Sequence, residues 1–202
     1  MMRLYLIRHG EAEGNHEGRC LGWDPVPLTD RGRRQAQALA RRLATVPLSG
    51  VYSSDLHRAL ETARAIAAPH GLPVVPRCGL RELHFGAWAG LTYAEMRERD
   101  ADRLERWLAA PDEVAPPGGE THRQLLERVL AALPRTDAAV VVTHGGPIRV
   151  LLSHWLGCSF WSLSVAPASL TEIEWDGKRL LKVIRLGDTS HLDAFVNMGE
   201  TG

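Results

Sequence analysis

The sequence predicts a three-layer αβα sandwich whose central sheet is mostly parallel and carries an antiparallel edge strand. Two observations predict it. Short, uniformly apolar runs alternate with amphipathic helical segments along the chain, and strands that are apolar on both faces belong to parallel sheets covered by helices on both sides. Towards the C-terminus, two more strand patterns flank Asp176-Gly177, a turn pair that joins antiparallel neighbours.

Leu4-Tyr5-Leu6-Ile7 reads as the first buried strand and is closed by Arg8-His9-Gly10. A helix is expected after Thr29, with Ala36, Leu39, Ala40 and Leu43 on the buried face. Its Arg33, Arg34, Arg41 and Arg42 form a solvated side. Gly50-Val51-Tyr52-Ser53 and Pro73-Val74-Val75 are shorter strands. The helix between them takes Ser54 as its N-cap, holds Arg58 in its first turn, buries Leu56, Leu60, Ala63 and Ala67, and ends near His70-Gly71.

Thr92 with Glu95, and Thr121 with Gln124, each match the capping box, in which hydroxyl and carboxyl or amide satisfy orphan amides reciprocally. Two helices therefore start there, joined by the Pro/Gly-rich stretch from Ala109 to Gly119, and residues 92–133 form a helical insert expected to act as a partial lid. Ala139-Val140-Val141-Val142-Thr143 is the second strong strand, broken by His144-Gly145-Gly146. Leu170–Trp175 and Arg179–Ile184 are the hairpin strands. Residues 1–202 read as one domain carrying that insert.

Composition narrows the function. Lys and Arg number 24 against 24 Asp and Glu, with 45% hydrophobic and 24% charged residues, which excludes disorder and rod-like assemblies. No basic block exists to draw nucleic acid or an anionic membrane, so neither is an expected partner and any anionic ligand is small. The N-terminal apolar run is too short for a signal peptide, and no stretch approaches the roughly 18 apolar residues of a membrane span. Cys20, Cys78 and Cys158 are odd in number and widely spaced, which argues against disulfides and Cys-rich zinc and fits a reducing cytoplasm.

Ligands of open α/β sheets bind beyond the carboxyl ends of strands, and both strong strands end in His-Gly. Glycine lets backbone amides approach a bound group, and Arg8 beside His9 adds a forked donor set suited to phosphate oxygens. Arg58, His144 and Glu82 complete a set of two imidazoles, two guanidiniums and one carboxyl, sufficient for phosphoryl transfer without metal. Glu11 and Glu13 with His9 and His16 lack a zinc spacing, and the arginines oppose a cation, so neither a metal nor another cofactor is expected. His16, His57, His70, His122, His154 and His191 read as surface or loop histidines, whereas His84 is close enough to Glu82 to line the site's mouth. Trp88, Trp107, Trp155, Trp161 and Trp175 read as packing. Trp23, with Leu21 and Gly22 in its loop, is expected to overhang the pocket.

Five blocks occur in order: Leu6–Glu11 with Asn15; Pro27–Gly32 with Gln35-Ala36; Ser53–Ala59 with Glu61-Thr62-Ala63; Arg81-Glu82-Leu83 with Phe85-Gly86 and Trp88; and Val141–Gly146. Together they resemble the histidine phosphatases, the phosphoglycerate mutase-like superfamily, over roughly residues 3–192. The resemblance implies that family's fold. It also implies that His9 is the nucleophile and forms a phosphohistidine, which splits a hard displacement into two easier ones. Arg8, Arg58 and His144 would hold the equatorial oxygens, with Asn15 and the amide of Gly145 or Gly146 adding hydrogen bonds. Glu82 would protonate the leaving alkoxide and later activate water, its proton recruited by the approaching phosphate dianion.

Within that family the short insert favours a phosphatase of small phosphorylated metabolites over a phosphoglycerate mutase. The segments Phe85–Gly90 and His144–Arg149 are most similar to small bacterial phosphatases, including those acting on α-ribazole phosphate, although Ala89 replaces an acid common there. Sugar phosphates, phosphoglycerates, nucleotide monophosphates and α-ribazole phosphate stay open as substrates. Two alternatives remain: a non-catalytic phosphate-binding member, and a metal-dependent hydrolase that a chelator would silence. The C-terminal strand could pair across a homodimer.

Overall fold

Leu4, Leu6 and Ile7 have no exposed surface and Tyr5 is buried beside them, so the first strand is covered on both faces. A computed structural model describes residues 1–193; residues 194–202 of the predicted domain lie outside the described residues. The first strand is β1 (Met2–Arg8), followed by β2 (Gly50–Ser53), β3 (Val74–Pro76), β4 (Ala139–Thr143), β5 (Leu170–Trp175) and β6 (Leu180–Asp188). They form one sheet in the order β3-β2-β4-β1-β5-β6. The pairs β2·β3, β2·β4 and β1·β4 are parallel, while β5 runs antiparallel to β1 and β6 antiparallel to β5.

Alternation along the strands builds the two covering layers. Leu4, Leu6, Ala139 and Val141 face a core completed by α3 (Tyr93–Ala109), α4 (His122–Ala132) and α5 (Gly145–Leu156), through Trp107, Leu125, Val129, Ile148 and Leu151. Tyr5, Ile7, Val140 and Val142 face Leu39 and Leu43 of α1 (Asp30–Leu43) and Ala59, Ala63 and Ile66 of α2 (His57–Ala67). The mixed αβα sandwich follows from these two patterns.

Local signals decide most helix ends. Thr29 caps α1 by accepting from the Gly32 amide, and both capping boxes form, Thr92 with Glu95 and Thr121 with Gln124. Ser54 differs from its expected role. The cap of α2 is Leu56, with no side-chain bond, and the Ser54 hydroxyl instead accepts from the Leu56 amide at 3.3 Å and meets the His144 ring at 2.8 Å. Beyond Ala67 a 3₁₀ turn, Ala68–His70, carries the chain to Gly71, whose φ of 63° requires the left-handed region. The hairpin loop spans 176–179 rather than two residues, because the Asp176 carboxylate accepts from the amides of both Lys178 and Arg179.

Candidate active site

Because Arg8 and Thr143 are registered partners on adjacent parallel strands, the next residues, His9 and His144, leave the sheet side by side. Their ring centroids lie 5.0 Å apart, about one strand spacing. His9 is 2% exposed and His144 fully buried.

The two bonds made by His9 define its tautomer. Nδ1 lies 2.6 Å from the Gly10 carbonyl, which can only accept, so Nδ1 carries the proton. Nε2 receives the Arg58 Nε–H at 3.2 Å and is therefore the bare nitrogen. Burial, then Arg58 and Arg8, hold its proton affinity well below the usual histidine range, so the ring is neutral at pH 7. His144 is held down in the same way by burial, Arg58 and its neighbours.

Arg58, fully inside the first turn of α2, is fixed by three acceptors: His9, the Gly22 carbonyl at 2.7 Å and the Asp24 carbonyl at 2.9 Å. Burial lowers it to about 10, still charged at neutral pH. Arg8 donates to the Val165 carbonyl at 2.6 Å, and its Nε, like His144 Nδ1 and Arg149 Nε, is buried with no partner among the described residues. Such unpaired groups normally cost about 1–3 kcal/mol each, which an anion bound among them would offset.

Glu82 comes from an irregular segment, yet its carboxylate is docked. It accepts from the Leu83 amide at 2.8 Å and from the Gly146 amide at 3.0 and 3.3 Å. Gly146 is required by that approach: a Cβ there would lie 2.2 Å from Glu82 Oε1. The Gly146 amide is thus occupied in this state, while Gly145, first residue of α5, presents a helix N-terminus whose N–H groups have no intrahelical partner.

Arg8, His9, Asn15, Leu21, Arg58, Glu82 and Gly145 line one cleft of about 230 Å³. His144 stands behind His9 rather than in the lining. Asn15 Oδ1 accepts from the Ala12 amide at 2.9 Å, which orients its side chain. Gly22, Trp23 and His84 are not among the residues that line the cleft. Gly22 supplies the carbonyl that holds Arg58. Trp23 turns its Nε1–H onto the Glu82 carbonyl at 2.7 Å, with the His84 ring 4.4 Å away between centroids and the Arg81 guanidinium 4.9 Å over its ring.

The cleft also contains residues that sequence reasoning missed: Arg149, Tyr93, Trp107, Phe160 and His122. Arg149 had a signal, since it lies four residues after Gly145 on the same helical face. His122 had none. Read as a loop histidine, it is 3% exposed, 4.1 Å from the Phe160 ring, and lowered to about 4 by burial. Among the described residues no three His, Cys, Asp or Glu side chains gather where they could hold one metal ion, and no helix is long and apolar enough to cross a membrane.

Comparison with known proteins shows the family. The family model for the histidine phosphatase superfamily (branch 1) matches residues 4–189. The chain is 33% identical to "Phosphoserine phosphatase 1" of Hydrogenobacter thermophilus, covering 96% of each. It is 31% identical to "Probable phosphoglycerate mutase GpmB" of Salmonella choleraesuis, again over 96% of each. Among solved structures, Bacillus stearothermophilus YhfR superposes with a TM-score of 0.86 at 34% identity, over 96% of this chain and 100% of that one. The alpha-ribazole phosphatase from Shigella flexneri gives 0.80 at 31%, over 93% and 96%. A family match over residues 4–189 and relatives above 30% identity along almost the whole chain show that the chain belongs to the histidine phosphatase superfamily, branch 1.

Proposed function

We propose that this histidine phosphatase hydrolyses small phosphate monoesters through a phosphohistidine on His9, with no metal in the reaction. The observation that carries the reading is the pair of bonds on the His9 ring, which leaves Nε2 bare beside two guanidiniums. A phosphoryl group entering there takes over the donors of Arg8, Arg58 and His144, where charge accumulates in the transition state. Nε2 bonds phosphorus as the ester P–O bond breaks, and the leaving alkoxide takes a proton from Glu82. In the second step Glu82 removes a proton from water, whose oxygen bonds phosphorus while the P–N bond breaks. Inorganic phosphate leaves and His9 returns to its neutral form.

The far half of the cleft supports a substrate class. Among the described residues Arg149 lines it, Glu82 is the one acidic side chain in the lining, and the Trp107 and His122 ring nitrogens Nε1 and Nε2 are buried without partners. A leaving group bearing a carboxylate or another anion suits those donors. Tyr93, Trp107 and His122 come from the 92–133 insert, which on this reading covers the bound ester as a partial lid. The free Cys20, Cys78 and Cys158 support a reducing cytoplasm as its location. Similarity to a phosphoglycerate mutase favours one second reading, transfer of the phosphoryl group to a sugar acid instead of water.

The test is hydrolysis of an aryl phosphate and a panel of phosphorylated metabolites by wild type and His9→Ala with excess chelator, plus alkali-quenched trapping of labelled enzyme. Activity that survives chelation, disappears in His9→Ala and leaves an acid-labile phosphoenzyme is the expected result. Loss of activity on chelation would overturn the metal-free mechanism. Label returned to a sugar acid rather than water would decide for the mutase.

A further inference from the structure

Residues Arg81–Phe85 belong to no helix or strand, so no ladder of backbone bonds holds the residue proposed above as the general acid. One guanidinium does that work instead. Arg128, on α4, spends its donors on this segment: Nη1 to the carbonyls of Gly79 at 3.0 Å and Arg81 at 2.8 Å, and Nη2 to the Glu82 carbonyl at 2.7 Å. Its Nε reaches Glu120 Oε2 at 2.9 Å, and a second Nη2 contact closes the fork on Glu120 Oε1. A guanidinium has five N–H groups in a fixed plane, and here that plane has five acceptors.

Glu120 completes the frame from the other side. Its carboxylate accepts the His84 amide at 2.9 Å, and its own amide donates to the His84 carbonyl at 3.0 Å. The Glu82 carbonyl therefore carries two donors, Arg128 and Trp23 Nε1, while Arg81 and His84 are tied to the same ion pair. Neither Arg128 nor Glu120 lines the cleft.

We infer that the Arg128–Glu120 pair positions Glu82, so that the insert's second helix sets the geometry of proton transfer to the leaving group. Arg128 is a positioning residue and touches no substrate. The inference rests on Glu82 being the proton donor. Lysine at 128 keeps the charge but cannot span three carbonyls and a carboxylate from one plane, so it releases the Glu82 backbone.

The experiment measures kcat and KM for Arg128→Lys, Glu120→Gln, Glu82→Gln and the double variant Arg128→Lys/Glu82→Gln, on esters ranging from p-nitrophenyl phosphate to an alkyl phosphate. Thermal unfolding of each variant is recorded alongside. Arg128→Lys is expected to lower kcat/KM on the alkyl ester by about tenfold or more, with kcat/KM for p-nitrophenyl phosphate, which reports only the step that expels the leaving group, within about threefold. Glu120→Gln should show the same pattern more weakly. Because Arg128 acts through Glu82, adding Arg128→Lys to Glu82→Gln should change kcat by less than about twofold. Equal losses on all esters, or a full additional loss in the double variant, would assign Arg128 a general structural role and overturn the inference. If Glu82→Gln itself shows no dependence on the leaving group, the proton-donor reading fails and the positioning role fails with it. A leaving-group effect in Glu82→Gln that is missing from both Arg128→Lys and Glu120→Gln would overturn the positioning role alone.

Discussion

Replacing Gly146 with alanine tests the docking of Glu82 at one atom. A Cβ at this position would meet Glu82 Oε1 at 2.2 Å and Glu82 Cδ at 3.3 Å, while its next neighbour, Leu125 Cδ2, lies at a comfortable 3.6 Å. What must yield is the far end of the Glu82 side chain, which has to retreat by roughly 1 Å, a misplacement that can cost about a hundredfold in rate. The displaced carboxylate also leaves the Gly146 amide, a charge-assisted bond worth about 1.5–3 kcal/mol. The backbone itself has nothing against alanine, since Gly146 lies in the first turn of α5 and alanine is favoured over glycine in helices by about 0.8–1 kcal/mol. The lost bond outweighs the helix gain by about 0.5–2 kcal/mol, so the unfolding midpoint should fall modestly while kcat on alkyl phosphates falls about ten- to hundredfold. p-Nitrophenyl phosphate, whose leaving group needs no proton, should keep its kcat/KM nearly as before, since that ratio reports the step that expels the leaving group and not the later attack of water. Wild-type turnover of alkyl phosphates by Gly146→Ala, or an equal loss on both ester types, would refute the docking of Glu82 on this amide as a catalytic feature.

Glu82→Gln should slow alkyl phosphates far more than aryl phosphates with good leaving groups, read from kcat/KM across the series; equal losses would remove the leaving-group role. Arg149→Met should raise KM for a carboxylate-bearing phosphomonoester about ten- to hundredfold, the equivalent of about 1.5–3 kcal/mol. An uncharged aryl phosphate should be affected little, and a uniform rise would deny Arg149 the leaving group. Buried histidines held neutral make the fold sensitive to acid. Below about pH 6.5 the unfolded chain takes protons that the folded one refuses, so stability falls with pH. His122, lowered to about 4 by burial, accounts for about 2 kcal/mol of that loss between about pH 7.5 and 5. Denaturant unfolding of His122→Phe at both pH values should show a loss smaller by that amount. Ser54→Ala strands His144 Nε2 in the interior and should cost about 1–3 kcal/mol of stability along with activity; an unaffected midpoint would show that the Ser54 hydroxyl is dispensable.

Where a signal was local, it was legible in the chain. Runs such as Leu4–Ile7 and Ala139–Thr143 are apolar at every position, which only a doubly covered strand tolerates, and the capping boxes at Thr92 and Thr121 satisfy their own helix ends. Ser54 was misread for the opposite reason. The choice between capping α2 and bonding His144 depends on β4 lying beside β2, a contact 90 residues distant in sequence. Trp23 likewise had a place in the right loop, but the Glu82 carbonyl it bonds is 59 residues away.

The sequence by itself determined the layered fold, the two His-Gly strand ends and the residue types of a phosphoryl-transfer site, because periodicity and short motifs are properties of neighbouring residues. Only the tertiary structure decided which nitrogen of His9 is bare, that the Gly146 amide belongs to Glu82, and that Arg128 and Glu120 frame the acid segment. It also placed His122 and Arg149 in the cleft. These are contacts between distant segments, set by register between strands and by burial, and burial determines protonation through the cost of charging a group away from water.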